Sequence, residues 1–268
     1  MTNRKLGSYS FGEFNDNEFE LSRLTRQAKI AWQIEKPYLL KHGLKSNHNM
    51  VDFACGPGVV TNLIHQEIVT QGNVVGVELN DTLHSVSIKM HSGPNAPSFL
   101  LGDVYEPRCL GSNEFDFAYA RFLFQHLSEP ARALNAVYEK LKPGGRFAIL
   151  DVDDGLFSFT PEVQGLEEFL LKANASQAAL GGNRQIGRKL AELLCQCGYK
   201  DIQIDVVPIS TVDLGGDDFI DITTKFKLTL LSSDEQEIAK SVIKEMASSI
   251  KDHNGFGVTY VFLVSGRK

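Results

Sequence analysis

The sequence contains few cysteines and no long apolar stretch, and each of these shortages excludes a class of protein. Only four of its 268 residues are cysteines, at positions 55, 109, 195 and 197. Only the pair in "CQC" is closely spaced, and it lies in a helical pattern, so we expect neither a disulfide framework nor a metal site. No run reaches the roughly 18 apolar residues of a membrane span, and the N-terminus has no apolar core after its charges. We therefore expect no membrane partner and a cytoplasmic location.

Basic residues are too few for a nucleic-acid-binding surface. The chain has 27 lysines and arginines against 33 aspartates and glutamates, which gives a net charge of −6, and it has no clustered basic patch. Because neutralising a nucleic-acid backbone needs such patches, we expect neither DNA nor RNA as a partner. The length suits one substantial hydrophobic core, so we expect one domain over residues 1–268. Association into a homodimer is left open.

Short apolar runs alternate with amphipathic segments from residue 50 onward. Five of these runs are typical of buried strands: "MVDFA" (50–54), "NVVGVEL" (73–79), "SFLLGD" (98–103), "FDFAYA" (115–120) and "RFAILDV" (146–152). Helical patterns lie between them, and one of these patterns stops at "KPGG". Because parallel strands need crossover helices, the alternation predicts an α/β fold with a doubly wound sheet. Two later runs, "DIQIDVV" (201–207) and "VTYVFLVSG" (258–266), predict further strands.

Three segments stand outside this alternation. Residues 18–44 predict one or two amphipathic helices, within an N-terminal region 1–46 that precedes a core at 47–152. Residues 153–182 and 210–255 hold inserted helices. In an open α/β sheet a ligand binds outside the carboxyl ends of the strands. We therefore expect these additions to form a lid over that crevice.

The stretch "NMVDFACGPGVV" joins the first strand to a helix through a turn with two glycines. Missing side chains at Gly56 and Gly58 would let the backbone approach a ligand, while amide hydrogens at the helix start face its polar groups. Such a turn also serves purely structural purposes in many folds. Glu78 ends the second strand, where an acidic side chain accepts hydrogen bonds from ribose hydroxyls. The two features together favour a nucleoside cofactor.

A nicotinamide dinucleotide is the first such cofactor to weigh. Its full fingerprint has a third glycine, but Thr61 occupies that position, which gives GxGxxT. A dinucleotide also needs a second nucleotide-binding half, and no second glycine-rich turn between strand and helix occurs in residues 100–160. An oxidoreductase that uses a nicotinamide cofactor is therefore disfavoured, and it stays open as an alternative.

The ordered motifs resemble those of class I S-adenosylmethionine-dependent methyltransferases of the small-molecule type. "VDFACGPG", "VVGVELN", "LLGDVYEP", "FDFAYARFLFQHLSEP" and "LKPGGRFAILDVD" follow one another in that family's order and spacing. The resemblance implies a Rossmann-like methyltransferase fold whose sheet has seven mostly parallel strands, the last one antiparallel. It also implies S-adenosylmethionine as the cofactor and methyl transfer to an O, N or C atom of a small-molecule substrate. A catalytically inactive relative that binds the cofactor as a regulator is a further alternative.

The resemblance assigns roles to particular residues of these motifs. Gly56 and Gly58 would pass close to the methionine part of the cofactor, and Asp52 would support its amino end. Glu78 would hold the ribose, and Asp103 would bond the exocyclic amine of adenine. The flanking residues Ala54, Leu79 and Val104 complete this set of cofactor positions.

Three more cofactor positions come with alternatives. Gln27, in the stretch "ELSRLTRQ", resembles a contact from an N-terminal helix that covers the cofactor, or it lies on a solvated face. Ala120 and Arg121 end the fourth strand, where family members line the cleft. The Arg121 guanidinium would pair with the cofactor's carboxylate, with an anionic substrate group or with an ordinary acidic partner.

Catalytic candidates are few because a sulfonium methyl group is already electrophilic, so that alignment with the acceptor is the main effect. His126 could act as a general base, although a histidine there more often fixes the loop before the next helix. Asp153, together with Asp151 and Asp154, could orient a substrate hydroxyl or amine, or stay solvated. The aromatic lid candidates, for which core packing is an equal explanation, are Tyr9, Phe11, Phe14, Phe157 and Phe159.

Overall fold

The structure is a computed structural model that describes residues 17–252 and 255–268. Within these ranges one sheet has the strands β1 (Asn49–Phe53), β2 (Asn73–Glu78), β3 (Ser98–Leu101), β4 (Phe115–Arg121), β5 (Leu141–Val152), β6 (Ser158–Thr160), β7 (Lys200–Ser210) and β8 (Phe256–Arg267). The helices are α1 (Asn17–Lys41), α2 (Val59–Glu67), α3 (Asp81–Met90), α4 (Pro130–Lys140), α5 (Leu166–Ala179), α6 (Leu190–Gln196), α7 (Thr211–Leu214), α8 (Gly216–Ile220), α9 (Phe226–Leu228) and α10 (Ser233–Lys251). The predicted lid aromatics Tyr9, Phe11 and Phe14 lie outside the described residues.

The sheet confirms the predicted doubly wound α/β fold. Strands β1 to β5 are parallel and lie in the order β3-β2-β1-β4-β5. The last strand, β8, runs antiparallel between β5 and β7, as the resemblance implied. The short strand β6 is an addition, because it pairs with β8 beyond the end of β5. The chain reverses its direction of winding between β1 and β4, which is where open α/β sheets bind their ligands.

β5 begins earlier than the sequence pattern predicts. We expected a helix to stop at "KPGG" and a strand to start at residue 146, but Leu141 already pairs with Phe115. A register shift between Phe115 and Phe117 absorbs the extra residues, and Gly144 takes a positive φ of 82°. Leu141 is fully buried, so the gain from apolar burial at that position draws the chain into the sheet ahead of the turn.

Helices cover both faces of the sheet, which is why its strands read as nearly continuous apolar runs. Phe53, Phe115 and Phe147 contribute to the core on one face, together with residues of α4 and α6. Trp32 and Met50 belong to the core on the other face, together with residues of α2. Burial on both faces therefore fixes the register of the central strands, because a slip by one residue would exchange the two faces.

The N-terminal segment forms one helix, α1, rather than two. Its buried residues recur with helical spacing at Ala28, Ala31, Trp32 and Leu39. The Trp32 indole Nε1–H donates a hydrogen bond of 2.9 Å to Glu67 Oε2 at the end of α2. These contacts hold α1 against the sheet beside the cleft. Across the described part of the chain, no helix combines the length and the apolar character that a membrane crossing needs.

The two inserted segments pack against each other and form a separate apolar cluster, here called the roof. Phe169 and Ala173 of α5 are buried in it, as are Val242 and Met246 of α10. Phe157 and Phe159 border this cluster, so they serve as core packing in the roof. The roof therefore has its own small hydrophobic core. The division of the chain at residues 46, 152, 182 and 210 stays a prediction.

Candidate cofactor and substrate cleft

A cavity of about 560 Å³ opens at the carboxyl ends of β1, β2 and β4. Residues of α1 line part of it, and Ile222, Thr223, Phe226 and Lys227 of the roof cover it. Its volume lies within the range of roughly 300–1,000 Å³ that is usual for sites that bind small molecules and cofactors. We call this cavity the cleft. It lies at the switch point of the sheet, where the sequence predicted a ligand site.

The glycine-rich turn after β1 borders the cleft, but its two glycines do different things. Gly56 has a φ of 56°, and a Cβ atom added there would meet nothing within 4 Å, so its bare backbone faces open space. Gly58 has a φ of 75°, and an added Cβ would lie 2.6 Å from the Phe99 ring. Gly56 and Ala54 line the cleft, whereas Gly58 does not. The structure therefore assigns Gly58 to packing rather than to the cleft wall, because the ring of Phe99 occupies the space beside it.

Asp52 lies at the base of the cleft and is almost fully buried. The Thr61 hydroxyl donates a hydrogen bond of 2.6 Å to Asp52 Oδ2. Burial raises the pKa of the Asp52 carboxyl to about 7, against the opposing effect of this hydrogen bond. Thr61 thus replaces the third glycine of a dinucleotide fingerprint with a hydroxyl that holds Asp52 in place. A cationic group bound beside this carboxylate would favour its charged form.

Glu78 is also buried at the cleft, and two backbone amides hold its carboxylate. The Gly56 N–H donates to Oε2 and the Asn80 N–H donates to Oε1, each at 2.9 Å. Burial raises the pKa of Glu78, and these amides counteract the effect. Because each carboxylate oxygen can accept a second hydrogen bond, Glu78 retains acceptor capacity. Leu79, which is 65% exposed, lies beside it at the cleft rim.

The third acidic position of the cleft is Asp103. Its Oδ1 accepts the Tyr105 N–H at 2.8 Å, which fixes the turn after β3. Val104 is buried next to it, and both residues line the cleft. The predicted cofactor residues Asp52, Glu78 and Asp103 are therefore brought together from the ends of three different chain segments.

Arg121 lines the cleft and pairs with Glu35 of α1, a residue that the sequence analysis missed. The Arg121 Nε–H lies 2.7 Å from Glu35 Oε1 and 3.0 Å from Oε2. Nη2 also lies 2.7 Å from Oε1, yet its geometry gives it no hydrogen bond. The guanidinium is thus anchored by an acidic partner while one buried nitrogen keeps its donor capacity. The sequence signal for Glu35 was an acidic residue on the apolar face of α1, between Trp32 and Leu39.

Gln27 and Ala120 were the remaining cofactor predictions. Gln27 lines the cleft from α1, and its Oε1 accepts a hydrogen bond of 3.1 Å from Arg23. Ala120 is fully buried in the sheet core and does not line the cleft. Its side chain packs with the core of one sheet face because alternate residues of a strand point to opposite faces. The Ala120 side chain therefore belongs to the sheet core, and its role as a cofactor contact stays a prediction.

The two predicted catalytic residues lie in unfavourable settings for acid–base chemistry. His126 lines the cleft, but burial, with Arg184 and Arg23 nearby, lowers the pKa of its imidazole to about 3. Its ring packs edge-on against Phe226, and its Nδ1 lies 3.4 Å from Gln177 Nε2. A base with so low a pKa takes up a proton poorly near neutral pH. His126 therefore fits the loop-fixing role better than catalysis.

Asp153 does not line the cleft, contrary to its placement as a catalytic candidate. It is fully buried, and its carboxylate pairs with Arg188, with 2.6 Å between Oδ1 and Nη2. Oδ1 also accepts the Gly155 N–H at 3.1 Å. Asp151 is turned to the amides of Gln125 and Val152, and burial raises its pKa to about 7. Of Asp151, Asp153 and Asp154, only Asp154 lines the cleft.

Asp154 brings two basic residues to the cleft that carried no sequence signal. The guanidinium of Arg184 and the ammonium of Lys227 both pair with its carboxylate, with 3.1 Å between Lys227 Nζ and Oδ2. All three side chains are at most 8% exposed. Burial alone would raise the pKa of Asp154, but the two cations hold it below its usual value. No cluster of three or more His, Cys, Asp or Glu side chains suited to a metal ion occurs within residues 17–252 and 255–268.

Comparison with known proteins agrees with this geometry. Residues 51–149 match the family described as "Methyltransferase domain". The ubiquinone/menaquinone biosynthesis C-methyltransferase UbiE of Wigglesworthia glossinidia brevipalpis is 26% identical over 125 residues, which are 46% of this chain and 50% of that protein. The chloroplastic 2-phytyl-1,4-beta-naphthoquinone methyltransferase of Arabidopsis thaliana is 27% identical over 148 residues, or 53% of each chain. The chain spans about half the length of the curated relatives it matches.

A solved structure extends the likeness of the fold beyond the matched domain. Phosphoethanolamine N-methyltransferase 2 of Haemonchus contortus, in complex with phosphomonomethylethanolamine and S-adenosylhomocysteine, superposes with a TM-score of 0.61. The alignment has 18% sequence identity and covers 97% of this chain and 60% of that one. At that identity the superposition concerns the fold, and it includes the roof as well as the sheet.

Proposed function

We propose that this chain, a class I S-adenosylmethionine-dependent methyltransferase by its domain match and its fold, transfers a methyl group from S-adenosylmethionine to a small-molecule metabolite. The family resemblance, the Rossmann-like fold and the cofactor expected from the sequence are confirmed by these comparisons. The accepting atom, an oxygen, nitrogen or carbon, belongs to the proposal. A cytoplasmic location and a homodimer stay predictions.

The observation that carries the proposal is the grouping of three side chains around the open backbone at Gly56. Asp52 and Glu78 present carboxylates at the end of the cleft that this backbone borders, and Arg121 offers a buried Nη2 without a hydrogen bond. An amino acid joined to a nucleoside fits this set, because its ammonium suits Asp52, its carboxylate suits Arg121 and its ribose suits Glu78. Asp103 and Val104 would then receive the adenine, and Gln27 would cover the cofactor from α1.

The cofactor, when bound, supplies an electrophilic methyl group on sulfur. The chain's own residues then have to exclude water and hold the acceptor in line, since orientation alone can account for much of the rate. The roof closes the cleft from above, and Phe226 and Leu214 contribute apolar walls. Burial lowers the pKa of His126 to about 3, so its imidazole is a weak base near neutral pH. A proton released by the acceptor would have to leave through another group or through solvent.

Two observations favour a small molecule over a macromolecule as the acceptor. Residues of α1 and Ile222, Thr223, Phe226 and Lys227 of the roof line the cleft together with the strand ends, so segments outside the sheet cover it. Relatives named for quinone biosynthesis and a structure with phosphomonomethylethanolamine bound are examples of this fold acting on small molecules. These names support the class of acceptor and do not select one member of it.

Calorimetry and label transfer test the proposal. Titration with S-adenosylmethionine and with S-adenosylhomocysteine should give saturable binding at one site per chain, and NADH should give none. Incubation with methyl-labelled S-adenosylmethionine and a small-molecule extract should then release label into a low-mass product. Binding of NADH in place of S-adenosylmethionine would overturn the assignment of the cofactor. Tight cofactor binding without any labelled product would instead favour a regulator.

A further inference from the structure

The roof end of the cleft holds a buried cluster of two cations and one carboxylate. Asp154 begins a short helical turn after β5, Arg184 lies in the loop after α5, and Lys227 belongs to α9. Lys227 pairs with Asp154 Oδ2 at 3.1 Å, and Arg184 spans both oxygens of the same carboxylate. All three residues line the cleft. We call these three residues the roof cluster.

The charges of the roof cluster do not cancel. Two cations face one carboxylate, and no second acidic side chain among the described residues forms an ion pair with either of them. The nearby Asp153 is engaged by Arg188, and Asp151 is turned to backbone amides. His126 stays neutral, since its pKa is lowered to about 3 by burial and by neighbouring arginines. A net positive charge in a buried position is costly unless an anion balances it.

The hydrogen-bond donors of the roof cluster are not all used either. Arg184 makes four hydrogen bonds, two to Asp154 and one each to the side-chain oxygens of Gln125 and Gln177. A guanidinium has five N–H groups, so one N–H of Arg184 is left. Lys227 donates to the Thr223 carbonyl oxygen and to Asp154, which leaves one of its three N–H groups. Each cation therefore keeps a donor beside the same cleft.

We propose that the acceptor substrate carries a carboxylate or phosphate group, and that this group binds at the roof cluster between Lys227 and Arg184. The proposal rests on methyl transfer as the function of the cleft, and it adds the chemical class of the acceptor. Two charged donors on neighbouring side chains match the two oxygens of such an anion. Asp154 holds both cations in place and balances only one of their two charges, which makes it a positioning residue.

The polarity of the cleft supports this orientation. The carboxylates of Asp52, Glu78 and Asp103 lie toward the ends of β1, β2 and β3, and the excess of positive charge lies at the roof. Burial lowers the pKa of Lys227 to about 8, against the opposing effect of the Asp154 carboxylate, and Arg184 acts in the same direction as burial. An anionic acceptor would therefore be drawn to the roof and kept apart from the acidic end of the cleft.

Calorimetry on the protein saturated with S-adenosylhomocysteine tests the proposal with three simple probes. Benzoate and phenyl phosphate carry the two anionic groups, and benzamide is the uncharged counterpart of benzoate. We expect at least one of the anions to bind roughly tenfold or more tightly than benzamide. Lys227→Met should weaken that binding by roughly tenfold or more, and Lys227→Arg should retain most of it. Binding of S-adenosylhomocysteine itself should stay within about twofold in both variants.

Lys189→Met is the matched control, because Lys189 is exposed and lies outside the cleft. It should bind all three probes like the unaltered protein. Arg184→Met gives a second test, and if that variant does not fold, Lys227→Met decides the question alone. Equal binding of benzoate and benzamide, no binding of either anion, or equal losses in Lys189→Met and Lys227→Met would overturn the proposal. Failure of S-adenosylhomocysteine to bind would instead overturn the proposed function.

Discussion

The Gly56 amide donates a hydrogen bond of 2.9 Å to Glu78 Oε2, and this bond joins the turn after β1 to the end of β2. The bare backbone of the turn and the acidic residue of the neighbouring strand are therefore parts of one structure. The Asn80 amide completes it from the other side of the carboxylate. A ligand that contacts Glu78 thus meets a carboxylate whose orientation is already fixed.

The first prediction concerns this carboxylate. Glu78→Gln should weaken binding of S-adenosylhomocysteine by roughly 1–3 kcal/mol, because a charged acceptor is replaced by a neutral amide with one acceptor oxygen. Isothermal titration calorimetry measures the change. Glu237→Gln, an exposed position on α10, is the matched control and should bind like the unaltered protein. If the Glu78→Gln variant and the control bound S-adenosylhomocysteine with equal affinity, the ribose would not contact Glu78.

The second prediction uses two glycines with the same backbone constraint and different surroundings. Gly56 and Gly43 both have positive φ, and an added Cβ meets nothing within 4 Å at either position. Valine should strain the backbone at both sites by roughly 1–3 kcal/mol. Only Gly56→Val should also abolish cofactor binding, because only Gly56 borders the cleft.

Thermal unfolding and calorimetry of both glycine variants separate strain from obstruction. A similar loss of stability is expected in the two proteins, with a loss of affinity for S-adenosylhomocysteine in Gly56→Val alone. If Gly43→Val lost the same affinity, backbone strain would explain the effect and the open space at Gly56 would have no role in binding.

The third prediction concerns the buried pair of Glu35 and Arg121. Glu35→Gln should lower the free energy of unfolding by about 3–5 kcal/mol, because it leaves a buried guanidinium without its counter-charge. The double variant Glu35→Leu, Arg121→Met should recover much of this stability, since both charges are then absent. Urea unfolding provides the free energies. A double variant less stable than Glu35→Gln would mean that the pair stabilises the fold in its own right.

The fourth prediction is a dependence of stability on pH that Asp52 causes. Burial raises the pKa of Asp52 to about 7, so between about pH 4 and pH 7 the folded state holds a proton that the unfolded state releases. The free energy of unfolding should therefore fall as pH rises through this window, by up to about 1.4 kcal/mol per pH unit for this group. His126 acts in the opposite direction, because its pKa is lowered to about 3 and the unfolded state binds the extra proton.

Comparison with Asp52→Asn isolates the contribution of Asp52 from that of His126. The stability of Asp52→Asn relative to the unaltered protein, without cofactor, should rise steadily from pH 4.5 to pH 7 in urea unfolding at about 25 °C. A difference that does not change with pH would mean that Asp52 is ionised throughout and has an ordinary pKa.

Several features were predictable from the sequence because they depend on local patterns. The runs at 50–54 and 73–79 predicted buried parallel strands, and the predicted cofactor residues Gly56 and Glu78 were found at the cleft. Ala120 and Gly58 were not, although they lie in the same motifs, because side-chain direction and the position of Phe99 depend on packing. Proximity to a motif in the chain did not fix which way a side chain points.

Asp153 and Asp154 show the same limit at neighbouring positions. Both are buried acids after β5, and the sequence treated them alike, yet Arg188 engages Asp153, whereas Arg184 and Lys227 engage Asp154. Their partners come from residues 30 or more positions later in the chain. No periodicity or short motif records such a pairing.

The sequence by itself determined the alternation of strands and helices, the glycine-rich turn and the acid at the end of β2, because periodic burial and backbone freedom act over a few residues. Only the tertiary structure decided that Glu35 meets Arg121 and that Arg184 and Lys227 share Asp154. Each of these pairs joins elements far apart in the chain, and the buried charges are tolerated only because folding brings their partners together.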